Sequence, residues 1–113
     1  MTEYAFIYRG RDISGSPAQM QKQMETWTAW FKSLEAKGCL KNPGHPLDAR
    51  GAVVRGNKKL VTDGPYAEAK DVVGGFTLIT ARGLAEAVEF SKLCPIFQVG
   101  GSVEIRPIQT LDR

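Results

Sequence analysis

The chain has 113 residues, a formal net charge of +3, and 42% hydrophobic and 24% charged residues, the proportions of one globular domain with a single core and no room for a second. No apolar run reaches the roughly 18 residues that span a bilayer, and the opening MTEYAFIYRG has neither the charged lead nor the cleavage site of an export signal, so a cytoplasmic location without a membrane partner is expected. Cys39 and Cys94 should then stay reduced, and a single histidine, His45, without CxxC or HExxH spacing, argues against a zinc site or a histidine-based triad placed anywhere else. No metal and no cofactor is expected. Basic residues are spread from Arg9 to Arg113, and their one cluster, Arg50, Arg55, Lys58 and Lys59, surrounds a turn, so nucleic acid is not an expected partner.

Residues 4–8, TyrAlaPheIleTyr, form an apolar, aromatic-rich run that predicts a strand buried on both faces. After a loop, Ser16-Pro17-Ala18-Gln19 combines a capping hydroxyl, a proline at the first helical position and a glutamine placed to reach back. The helix that follows carries Met20, Met24, Trp27, Phe31 and Leu34 on one stripe with Trp30 at its flank, and should end at Gly38. Trp27 and Trp30 are expected in the core and at a dimer contact.

Asn42, Pro43, Gly44, His45 and Pro46 predict a loop over 41–48. Residues 52–55 and 59–61 flank Gly56-Asn57-Lys58 and predict a short hairpin, with glycine or asparagine supplying the positive φ of its turn. A polar stretch over 62–70 precedes a strand at 76–79. A second helix starts near Gly83, with Leu84, Ala87, Val88 and Ser91 as its packing face, and Cys94-Pro95 closes it. A last strand is expected at 103–106. Two helices on one face of an antiparallel sheet in this order predict an α+β, ferredoxin-like fold, a split βαβ with an extra hairpin. The strands at 4–8 and 76–79 are apolar on both faces, and two helices cover only one, so a homodimer with sheets packed face to face is expected.

The segment ValThrAspGlyProTyrAlaGluAlaLysAspValValGlyGlyPhe, 61–76, resembles the signature of the YCII-related family in its DGPF subgroup, with Tyr66 where phenylalanine is usual. The resemblance extends to the tryptophan-bearing first helix, the VVRG hairpin and the closing segment at 94–107. It implies a dimeric ferredoxin-like α+β barrel and, through the subgroup's frequent genetic neighbours, a role as accessory to an extracytoplasmic-function sigma factor. The histidine and aspartate pair of the better-studied branch has no counterpart: no histidine lies between 17 and 37, and Cys94 precedes Pro95.

Asp63 stands before Gly64-Pro65, where a carboxylate either fixes a turn or acts as a base at a cleft mouth. Glu68 and Lys70 are two apart, placed either to pair at the surface or to join Asp63 and Tyr66 around a ligand. His45, three residues before Asp48, is the other proton-transfer candidate. Cys94 reads as a small buried apolar residue rather than a reactive thiolate. The leading expectation is a small-molecule-binding or regulatory homodimer whose pocket lies between helices and sheet, beside the 62–70 loop. The alternatives are a cofactor-independent enzyme using Asp63 with Tyr66 or His45, and an interaction module for a sigma factor.

Overall fold

The computed structural model describes residues 1–10, 15–64 and 71–110. In chain order the elements are β1 (Thr2–Arg9), α1 (Pro17–Ala36), β2 (Leu40–Asn42), β3 (Ala52–Arg55), β4 (Leu60–Asp63), β5 (Val73–Ala81), α2 (Leu84–Ser91), a 3₁₀ turn (Pro95–Val99) and β6 (Ser102–Pro107). Four strands form one antiparallel sheet in the order β2-β5-β1-β6. β5 is inserted between β1 and β2, which makes the unit a split βαβ, and both helices pack on one face. The architecture is α+β and ferredoxin-like. No helix among the described residues is long and apolar enough to cross a membrane.

Local chemistry sets both ends of α1. Ser16 accepts from the Gln19 amide at 3.2 Å while the Gln19 side chain accepts from the Ser16 amide at 2.8 Å, with Pro17 opening the helix. At the other end Gly38 takes φ 73°, its amide reaches the Glu35 carbonyl, and the Cys39 amide reaches the Leu34 carbonyl at 3.1 Å. These two bonds make a Schellman cap, with buried Cys39 packing back on buried Leu34.

The core lies between the helices and the face of β1 that carries Tyr4, Phe6 and Tyr8, opposite Ile79, Thr77 and Gly75 of β5. From the helices Trp30, Leu34 and Ala87 fill it, and Ile96 and Cys94 close it. Trp30, at the flank of the stripe, lies in the core as expected, beside Phe6 with ring centroids 6.2 Å apart. The stripe divides along the helix: Leu34 is 1% exposed, whereas Met20 and Met24 are 49% and 71% exposed. A 20-residue helix is about 30 Å long, and its first half carries apolar side chains beyond the packed core.

Several expectations change. The segment read as loop from Lys41 begins with the short edge strand β2, and it continues along β5 through a bridge between Pro46 and Gly75. Pro46 does not break this pairing, because at a sheet edge its missing donor faces outward. β5 is nine residues long rather than four, and Pro95–Val99 forms a 3₁₀ turn. Leu84, placed on the packing face of α2, is 53% exposed, while Ala87 and Ser91 are buried. In the hairpin turn Gly56 supplies the positive φ as expected, and Lys59, expected to open the second strand, lies in the turn with positive φ as well.

The β3–β4 hairpin is a separate two-stranded sheet. Val54, Leu60 and Val61 are each more than 60% exposed on it. The radius of gyration is 15.7 Å, against about 13 Å for a compact domain of this length. The division of the α1 stripe has a direct test: Leu34→Ala should cost about 2–5 kcal/mol and Met24→Ala less than about 0.5 kcal/mol in chemical denaturation. Equal losses would contradict the division.

Candidate functional site

The projecting half of α1 and the start of β5 enclose a groove of about 470 Å³. Met20, Met24, Trp27 and Phe31 form the helix wall. Pro43, Gly44, His45 and Pro46 form the opposite wall, with Phe76 at its edge and Tyr8 at the inner end. The rings interlock: Tyr8 and Trp27 meet edge to face at 4.9 Å, and Trp27 and Phe31 lie 5.8 Å apart.

The second wall is held by its glycines and by a buried hydrogen-bond chain. Gly44 has φ 70°, and a Cβ there would lie 1.8 Å from the Phe76 carbonyl oxygen. A Cβ on Gly75 would lie 2.9 Å from the His45 carbonyl oxygen. Only glycine lets the 43–47 segment run this close to β5, where the Leu47 amide reaches the Gly74 carbonyl at 2.9 Å. Between core and wall, the Tyr8 hydroxyl donates to Thr77 Oγ1 at 2.6 Å, and Thr77 donates to the Pro43 carbonyl at 2.9 Å. The Gly74-Gly75 pair also sits where the β1–β5 register shifts between Tyr8 and Arg9, so both a bulge and a close approach are present.

No carboxylate, lysine or arginine lines the groove among the described residues. Burial raises the Tyr8 hydroxyl pKa far above its ordinary value, so it remains a neutral donor. His45 is exposed in the lining, its ring 6.3 Å from Phe76. Asp48 turns to Arg50, which binds it through both the backbone amide and the guanidinium and lowers its carboxyl pKa, so the local pairing with His45 is not made. Both cysteines are free and buried. Burial pushes the Cys94 thiol up to about 12 and raises that of Cys39, which keeps both sulfurs protonated. The described residues contain no cluster of three or more metal-ligating side chains.

Of the residues singled out by sequence, His45 lines the groove. Asp63 ends β4, exposed, paired in register with Ala52 of the hairpin and outside the described groove lining. Tyr66, Glu68 and Lys70 lie outside the described residues. Sequence reasoning missed Tyr8, Met24, Trp27 and Thr77 as site residues, because an apolar stripe and a strand interior look the same whether they line a core or a groove. One available signal was the pair of methionines in the first half of the stripe, since flexible thioethers favour adaptable surfaces over fixed cores.

Replacing Thr77 by valine keeps the shape and removes both bonds of the Tyr8–Thr77–Pro43 chain. Thr77→Val should lower stability by about 1–3 kcal/mol in chemical denaturation, and an unchanged midpoint would show that the chain holds nothing. A thiol reagent at pH 8 should find neither cysteine in the folded protein and both after denaturation.

Comparison with curated proteins found no match to this chain. Among solved structures the chain is similar to 5-chloro-2-hydroxyhydroquinone dehydrochlorinase from Burkholderia phenoliruptrix AC1100 in complex with 2,5-dihydroxybenzoquinone, at 18% identity and a TM-score of 0.45, over 94% of this chain and 93% of that one. The YCII-related domain matches residues 3–112, nearly the whole sequence, and the chain belongs to that family.

Proposed function

We propose that this YCII-related protein binds a small, largely apolar molecule in the groove between α1 and the start of β5, and that it does so as a homodimer. The observation that carries the binding reading is the lining itself: a concavity of about 470 Å³ walled by Trp27, Phe31, Met20, Met24 and Tyr8 has the size and composition of a ligand site. The aspartate-glycine-proline-tyrosine segment at 63–66 supports placement in the DGPF subgroup. Any proton transfer at the groove would fall to His45, the described lining residue suited to it near neutral pH.

The dimer reading rests on the sheet face away from the helices. Ala5, Ile7 and Leu78 form a half-buried apolar strip there. It is flanked by the Arg9–Glu104 ion pair at 2.9 Å and the Lys41–Glu3 pair at 2.6 Å. An apolar centre with a charged rim is the anatomy of a protein interface, and the apolar residues of the exposed hairpin add to the surface in need of cover.

A thermal-shift screen against metabolites tests the groove. A ligand at about 100 times its dissociation constant adds roughly 2.7 kcal/mol, a shift of several degrees for this size. Thr28→Trp, at an exposed lining position, should abolish the shift without lowering the ligand-free melting temperature. A shift that survives this variant places the ligand elsewhere. In sedimentation, the mass should be twice the 12.4 kDa of one chain, and Leu78→Arg should bring it to one. A single-chain mass for the unmodified protein at micromolar concentration overturns the dimer.

A further inference from the structure

The groove's chemistry narrows its ligand. Resting on the binding reading above, we infer that the natural ligand is an uncharged, ring-bearing molecule whose polar substituents are neutral hydrogen-bonding groups. Three observations support this. Rings from two separate elements line the groove, with Trp27 and Phe31 on α1 and Tyr8 on β1. Flat ligands fill such spaces with ring contacts that flexible aliphatic ones do not make.

The polar lining side chains that offer hydrogen bonds without carrying a fixed charge are Gln23, Thr28 and His45, and the Tyr8 hydroxyl is already committed to Thr77. The nearest acid along the chain from His45, Asp48, is held by Arg50, so no counter-charge waits beside the histidine. An ionised ligand group leaving water for this lining would meet no fixed opposite charge among the described residues, and an unpaired ion is the costliest group to desolvate.

Calorimetric titration with three ligands of nearly one shape tests the inference: 2-naphthamide, 2-naphthoate and 2-naphthylmethylammonium. The amide should bind at least tenfold more tightly than either ion. Met24 is 71% exposed and lines the groove, so Met24→Lys changes the charge of the wall without touching the core. That variant should tighten naphthoate at least tenfold and leave the ammonium weak.

An ion that binds the unmodified protein within tenfold of the amide overturns the inference while leaving the groove as a binding site. A naphthoate affinity unchanged in Met24→Lys also overturns it, because charge would then not decide occupancy. Absence of binding by all three, or amide binding untouched by Thr28→Trp, overturns the groove reading itself and this inference with it.

Discussion

The hydrogen-bond chain from Tyr8 through Thr77 to the Pro43 carbonyl is the constraint on which the site depends. Thr77 is fully buried, and its hydroxyl satisfies the Tyr8 donor on one side and the backbone of the 43–47 segment on the other. Without the Pro43 carbonyl the buried Thr77 hydroxyl would have no acceptor for its proton and would carry a desolvation penalty. The core therefore stays closed only while that segment lies against β5. Glycine at 44 and 75 permits the approach, and the approach places His45 at the groove. Stability of the core and shape of the site are thus set by the same few atoms.

The long helix shows the same economy of parts. Its C-terminal half packs Trp30 and Leu34 against Phe6 and ends in a Schellman cap, while its N-terminal half runs on with Met20, Met24 and Trp27 incompletely covered. A uniform apolar stripe in sequence becomes core at one end, where Leu34 is buried, and groove wall at the other, where Met20 and Met24 are exposed. Trp27 joins the two regimes, meeting Tyr8 on one side and Phe31 on the other.

This division explains what could be read in the sequence and what could not. Ser16, Pro17, Gln19 and Gly38 act through neighbours within a few residues, so both ends of α1 were legible to the residue. The order of elements followed from periodicity, which depends only on which face is apolar. β2 and the bridge at Pro46 were hidden because their pairing comes from β5, about thirty to forty residues away, and local signals at 43–46 all pointed to a loop. The lining of the groove was hidden for a related reason: whether Trp27 or Trp30 is the deeper residue depends on where the sheet edge falls, and no local pattern encodes that. The charged residues of the 62–70 segment stand out in sequence, whereas the described groove is built mostly from residues that look like ordinary core.

What the fold leaves unsatisfied is apolar surface rather than charge. Among the described residues no buried side-chain polar atom lacks a partner. Arg9 and Glu104, Lys41 and Glu3, and Asp48 and Arg50 pair with one another, and the two thiols are held protonated by burial. The groove beside Trp27, the strip at Ala5, Ile7 and Leu78, and the hairpin residues Val54 and Val61 instead keep hydrophobic area in contact with water. Isolated two-stranded ribbons are marginal in water, and contiguous apolar surface on a small domain marks a place where something docks. Phe76 follows Gly75 at the corner where groove and strip approach each other, in register with Ile7 on the strip and also part of the groove lining. The proposed ligand and second copy would therefore draw on adjoining parts of one apolar surface, each covering hydrophobic area that the fold by itself leaves in water.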